Sequence, residues 1–386
     1  MHRRRVPVPD LDIPSDPVLL AAIRDEIARS GPLTFARFME IALYDPARGY
    51  YRGTVARPGR AGDFLTAPEA SPIFGRTLAR FARGVHAALG APGFTIREHG
   101  AGTGALAAPL VAELLASDGG PEAVDYLVAE VEPARLDAVR AALAGQPGTT
   151  VQPDDGRPID GLVIGNEVLD ALPTHRVVRR GDELREVLVG IGQDNELVDV
   201  EGDPTTPALE ARLAAESIEL VDGQHAEVCL AIDDWVDRAA AGLAHGVLLL
   251  IDYGHPAADL YHPQRRAAGT LATYLGHRVG EDPYRAIGRQ DITAHVDVTA
   301  VERAALAAGL DHLGTTTQAE FLNHLGAGEL LVAEQTRPGA SLQAYLESRS
   351  AVVRMIDPGA MGRFRVMAFG RGLGADARLP GLDGPA

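Results

Sequence analysis

Apolar side chains recur at two different spacings along this chain, and the change from one to the other divides it. Behind Asp16 and Pro17, Leu19, Leu20, Ile23 and Ile27 follow the helical repeat, so a helix is predicted over 17–30. Phe35, Phe38, Met39 and Ala42 define a second helix over 34–43. Tyr44-Asp45-Pro46 ends it, because a residue before proline is biased away from helical angles. Residues 52–63, with Gly53, Pro58, Gly59 and Gly62, read as an irregular loop, and Phe74, Leu78, Phe81 and Val85 mark a third helix over 72–89.

From Phe94 the rhythm changes. Short apolar strands are predicted at 94–98, 126–130, 149–152, 161–165 and 247–251, with helices at 106–115, 133–143 and 233–243. Strand and helix in alternation predict a parallel sheet with right-handed crossovers. The wholly apolar runs at 161–165 and 247–251 belong to strands covered on both faces. Pro109 falls inside a predicted helix and is expected to kink or shorten it. Residues 176–200 read as one or two hairpins turning at 180–182 and 192–195. The C-terminal third holds a helix at 299–308, a strand at 313–316, a helix at 341–355 and a strand at 364–369. The predicted fold class is α/β, a mostly parallel twisted sheet with helices on both faces. Its expected parts are a flexible arm (1–16), a helical lobe or lid (17–90), an α/β domain (91–375) with an insertion at about 176–230, and a frayed tail (376–386).

Composition narrows the chemistry. Acids outnumber bases 53 to 36, for a net charge of −17, which argues against nonspecific binding to nucleic acid or an anionic membrane. All 36 bases are arginine, so no lysine chemistry is available, and the single cysteine, Cys229, excludes an internal disulfide framework. No apolar run approaches the roughly 20 residues of a membrane span. No His, Asp and Glu spacing suggests a metal. Met1–Asp16 has no apolar leader region, and its Asp10, Asp12 and Asp16 oppose an amphipathic transit helix, so a cytoplasmic location is expected.

The sharpest local signal is Glu98-His99-Gly100-Ala101-Gly102-Thr103-Gly104-Ala105, which follows an apolar strand and opens a helix. Glycines there let a nucleotide-like cofactor approach the main chain. Glu98 precedes the glycines where it can face an ammonium but would repel a pyrophosphate. Glu130, at the end of the next strand, can accept both hydroxyls of a ribose, with Glu132 as the alternative. These acids favour S-adenosylmethionine over a nicotinamide dinucleotide, which stays open as the alternative. The expected cofactor residues are Glu98, Gly100, Gly102, Gly104 and Glu130. One of the turn acids Asp154 and Asp155 is in reach of an adenine amino group, and Asp155 is assigned there. The buried strand 161–165 delivers Asn166 and Glu167 to its carboxyl end, with Asp170 just beyond, where α/β sites hold their substrates.

Six ordered motifs then resemble the MidA-like methyltransferases, the family of a mitochondrial complex I assembly factor that methylates arginine. Tyr44-Asp45-Pro46-Ala47-Arg48-Gly49-Tyr50-Tyr51 is similar to YDPxxGYY, and Gly62-Asp63-Phe64-Leu65-Thr66-Ala67-Pro68-Glu69 to GDFxTSPE. Glu98–Gly104 matches the family's cofactor loop, with Thr103 where arginine is usual. Asn166-Glu167-Val168-Leu169-Asp170-Ala171-Leu172-Pro173 resembles NEFFDALP, with Val168-Leu169 replacing the phenylalanine pair. Asp252-Tyr253-Gly254 and Ala294-His295-Val296-Asp297 match DYG and AHVD.

The resemblance implies a class I, Rossmann-like methyltransferase fold that uses S-adenosylmethionine, with an arginine of a protein partner as the acceptor. A guanidinium acceptor needs carboxylates to orient it, since arginine pairs with them in a bidentate fork. Glu167 and Asp170, with Asn166, are expected to do this work. Asp63, Glu69 and Tyr51 are expected to close on the acceptor from the N-terminal lobe. His295 with Asp297 is either a base or substrate-binding pair, or a core histidine bonded to a carboxylate. Two other classes remain as rivals: an assembly module that binds a partner without turnover, and a nicotinamide oxidoreductase. The sequence does not indicate an oligomeric state.

Overall fold

The computed structural model describes residues 13–52, 65–336, 341–374 and 378–382. Its centre is a seven-stranded sheet of β1 (Gly93–His99), β2 (Ala123–Ala129), β3 (Thr149–Pro153), β4 (Ile159–Asn166), β5 (Leu243–Asp252), β6 (Asp311–Thr317) and β7 (Arg365–Arg371). The spatial order is β6-β7-β5-β4-β1-β2-β3. β1 through β5 pair in parallel, while β7 runs antiparallel between β5 and β6. The order reverses between β1 and β4, and in open α/β sheets ligands bind in the crevice at such a switch point.

The apolar runs of β4 and β5 sit at the centre because helices cover both faces. On one face Leu162, Ile164, Val247 and Leu249 pack with the helices Pro72–Leu89 and Ala107–Ala116. On the other, Val163, Leu248 and Leu250 pack with the helices Ala231–Ala241 and Val298–Ala307. Pro109 causes no kink. The helix begins at Ala107, so Pro109 lies in the first turn, where the N–H has no intrahelical partner to lose.

The expected lobe 17–90 does not hold together as one unit. The helix Pro72–Leu89 belongs to the central core, whereas the helices Pro17–Ser30 and Phe35–Tyr44 pack with Val189, Leu197, Ile287 and Ile292. Their long apolar side chains need a second surface. The insertion supplies it as an antiparallel sheet of 197–202, 183–191, 175–180 and 225–228, with a small three-stranded sheet over 272–293 beside it. The expected hairpins are therefore present, in a larger cap that also recruits the N-terminal helices. The tail is also corrected: Leu379 is buried, and Pro380 and Gly381 lie against Gly84 and Phe321. Among the described residues, no helix is long and apolar enough to cross a membrane.

Candidate active site

At the switch point the carboxyl ends of β1, β2 and β4 open into a cleft of about 670 Å³. Glu98 is buried near the end of β1, where the Tyr126 hydroxyl donates to its Oε2 at 2.6 Å. Burial pushes the Glu98 carboxyl up to about 7, against the lowering effect of that hydrogen bond.

The three glycines of the loop have different tasks. Gly102 holds φ 55°, a left-handed conformation, and a Cβ there would meet nothing closer than Gly100 O at 3.9 Å. The space beside Gly102 therefore belongs to the cleft. Gly100 and Gly104 are closed by protein: a Cβ would stand 2.6 Å from Val168 Cγ1 at the first and 2.9 Å from Ala142 Cβ at the second. Gly104, expected among the cofactor residues, does not line the cleft. It lets the loop pack on the helix Pro133–Ala142.

Glu130 follows β2, and its Oε1 accepts the Gly102 amide at 2.6 Å. Burial raises its carboxyl above the ordinary range. Glu132, the alternative, is engaged in capping the helix Pro133–Ala142 through the Ala134 amide at 3.3 Å. Glu130→Ala removes the partner of a loop amide and a cleft carboxylate together. Binding of S-adenosylhomocysteine, read by calorimetry, is expected to weaken by about 1–3 kcal/mol, and undiminished affinity would return the role to Glu132.

The assignment of Asp155 is corrected. Asp155 is exposed and accepts from the Arg157 amide and guanidinium, 3.1 and 3.2 Å away, because the turn directs it to solvent. Asp154 lines the cleft instead, held by the buried Arg97 at 2.8 Å. His99 and Trp235, which the sequence reading did not single out, form the opposite wall in an edge contact at 5.1 Å.

Another part of the cleft is built on the exit of β4, where Asn166 and Glu167 line it. Glu167 holds φ 54°, an uncommon conformation for a residue with a side chain. The surroundings over-determine it. Asp252, at the end of β5, accepts the amides of Val168 at 3.0 Å and Leu169 at 2.7 Å through Oδ2, and that of Tyr253 at 2.8 Å through Oδ1. The Asp of the DYG motif is thus the support of the β4 loop. Asp252→Asn gives up part of this acceptance and is expected to lower stability by about 1–3 kcal/mol. Turnover falls with it, as paired denaturation and rate measurements would show.

Glu167 Oε1 accepts from Asn166 Nδ2 at 3.1 Å and from the Ala67 amide at 3.3 Å. Burial, with Asp252 nearby, pushes its carboxyl up to about 8. Asp170 does not line the cleft itself. It lies behind Glu167, and burial, with Asp252 and Asp291 next, raises its carboxyl well above the ordinary range. Glu167, Asp170 and Asp252 form no ion pair among the described residues.

The N-terminal helices reach this region. Tyr51 donates to Asp291 Oδ1 at 2.8 Å, Tyr44 donates to Ala171 O at 3.0 Å, and the two rings stack at 5.4 Å. Glu69 lines the cleft beside Thr66, and burial raises its carboxyl. Asp63 lies outside the described residues. His295 is corrected as a member of this cleft: it is not among the lining residues, its ring packs edge-on against Tyr253 at 4.1 Å, and Asp297 caps the helix Val298–Ala307. Asp291 had no local signal, because its role depends on Tyr51, 240 residues away in sequence. Among the described residues, no group of three or more His, Cys, Asp or Glu side chains is arranged to hold a metal.

Comparison with known proteins accords with this geometry. The family model described as "Putative S-adenosyl-L-methionine-dependent methyltransferase" matches residues 77–316. The mitochondrial protein arginine methyltransferase NDUFAF7 of Danio rerio is 28% identical over 358 residues, 85% of this chain and 81% of that protein. Its Mus musculus counterpart is 28% identical over 84% of this chain and 78% of its own. A crystal structure from Burkholderia thailandensis, bound to S-adenosyl-homocysteine, superposes with a TM-score of 0.83 at 34% identity, covering 98% of this chain and 96% of that one. The nicotinamide alternative is set aside by these matches. They also correct the expected cytoplasmic location, since the curated relatives are mitochondrial by name. That expectation read a destination from the charge pattern of a short segment, and such a pattern does not determine the compartment.

Proposed function

Since this chain belongs to the S-adenosyl-L-methionine-dependent methyltransferase family matched over residues 77–316, we propose that it methylates an arginine side chain of a partner protein. S-adenosylmethionine, when bound, supplies an activated sulfonium methyl group. The residues present fit it. The face of Gly102 is open to the cleft, Glu98 and Glu130 bring carboxylates to the loop, and His99 Nε2 and Asn166 Oδ1 are buried without a partner among the described residues. Gly100, Gly102, Glu98 and Glu130 would hold the cofactor, with Asp154 and His99 along the wall.

The observation that carries the arginine reading is the set of carboxyls at the β4 exit. Glu167, Asp170 and Asp252 are crowded together and lack an ion pair among the described residues; burial raises all three, and repulsion from neighbouring carboxylates adds to it for Glu167 and Asp170. An incoming guanidinium relieves that repulsion and is oriented by it. Glu167 faces the cleft and receives the cation, Asn166 holds the Glu167 carboxyl, and Asp170 adds charge from behind. The stacked Tyr44 and Tyr51 form a wall that excludes water from the transfer. In-line displacement asks for alignment and electrostatics more than for a strong base.

Methyl-labelled S-adenosylmethionine, the purified protein and cell extract, followed by peptide mass spectrometry, test the reading. Label is expected on an arginine of a protein. Label confined to lysine, to another residue or to small molecules would overturn it.

A further inference from the structure

Beside the acidic acceptor region stands a group of cations without counter-ions. Arg365 opens β7, directly opposite Asp252 in the sheet register. Among the described residues its buried Nε has no partner, and His295 Nδ1 is in the same condition. Arg266 donates to His255 Nε2 at 2.9 Å, and the rings of His255 and His295 are 5.4 Å apart. Tyr253 joins these parts, touching His295 at 4.1 Å and Phe364, the neighbour of Arg365, at 5.3 Å. Burial and the nearby arginines hold both imidazoles below their ordinary range, so the positive charge of the group is that of arginine. Arg266, Arg363 and Arg365 form no ion pair among the described residues, and the nearby Asp259 is taken by Arg265 at 2.7 Å.

Neighbours in the sheet set the scale. Asn166 on β4 is opposite Ile251 on β5, and Asp252 is opposite Arg365 on β7. Glu167 and Arg365 therefore leave the same edge two strand spacings apart, about 10 Å. An extended polypeptide covers that distance in about three residues. A lone anion would find the arginines but would have no reason to meet the acids beside them. A segment that carries both charges matches both.

We propose that Arg365 and Arg266 bind an acidic side chain of the acceptor protein, about three residues from the arginine that is methylated. The proposal rests on the arginine reading above. It makes the sheet edge a two-point ruler, with carboxylates for the guanidinium and guanidiniums for the carboxylate.

The test compares arginine peptides that carry Glu, Gln or phosphoserine three residues before or after the arginine. The rate kcat/KM is measured with labelled donor. Glu peptides are expected to exceed their Gln counterparts at least tenfold, through KM. In an Arg266→Gln, Arg365→Gln double variant that still binds S-adenosylhomocysteine, that ratio is expected to fall below twofold. If the double variant does not fold, the single variant Arg266→Gln is expected to reduce the ratio in the same direction. Equal rates for Glu and Gln peptides, a preference that survives in the variants, or a preference for phosphoserine alone would overturn the proposal. Failure of the arginine reading looks different, because no arginine peptide is then labelled whatever its flanking residues.

Discussion

Glu167→Gln is expected to keep donor binding and folding while lowering methyl transfer by about a hundredfold or more, as for other preorganised electrostatic contacts. With its carboxyl pushed up to about 8, Glu167 is mostly protonated at pH 7 in the free protein. Glutamine copies that neutral form, so the hydrogen bond from the Ala67 amide has an equivalent acceptor. What glutamine cannot supply is the anion that pairs with guanidinium. The wild-type kcat/KM is therefore expected to rise with pH through about 8, and the variant to lose that limb. Stability moves the other way. Between the ordinary glutamate range and about 8 the folded protein holds a proton that the unfolded chain releases, so stability falls as pH rises through that window. The variant should then melt above wild type at pH 9 and close to it at pH 5. Asp170→Asn should lower transfer less, because Asp170 acts from behind Glu167. Labelled-methyl transfer at saturating donor checks the rates. Full turnover by Glu167→Gln would move the acceptor role to Glu69 and its neighbours.

Gly102→Val is expected to abolish cofactor binding. Two effects act together. A β-branched residue is strained at φ 55°, and its side chain occupies the one face of the loop that the protein leaves open. Nothing among the described residues blocks the added Cβ, so the loss belongs to the ligand more than to the core. Gly100 provides the contrast. A Cβ there strikes Val168 Cγ1, so Gly100→Ala disturbs the β4 loop. Calorimetry with S-adenosylhomocysteine on a folded Gly102→Val protein is the measurement, and full affinity would show that the cofactor does not approach the loop.

The strands and helices of the central sheet were legible because their signals are local. The apolar runs at 161–165 and 247–251 appear within β4 and β5, and the glycine loop lies between β1 and its helix. Less visible were the helices Gln318–His324 and Ala327–Gln335. The second exposes Val332 and carries Gly328, so its apolar face is weakly marked. The family resemblance pointed to the right motifs without saying what each one does. The DYG aspartate supports the β4 loop, and the histidine of Ala294-His295-Val296-Asp297 stands outside the cleft.

By itself the sequence determined the α/β class, the glycine loop at the end of the first strand, and the acids that follow β2 and β4. Periodicity, turn residues and strand ends act over a few positions, and a single segment carries them. Tertiary structure alone decided which acid serves which purpose. Glu130 rather than Glu132 holds the glycine loop through the Gly102 amide, and Asp154 rather than Asp155 lines the cleft, held by an arginine on another strand. Ala67 meets Glu167 across 100 residues, Asp252 meets Val168 across 84, and Tyr51 meets Asp291 across 240. A carboxylate takes its charge state from burial and from its neighbours in space, and those neighbours are assembled only when the sheet closes and the N-terminal helices pack onto the cap.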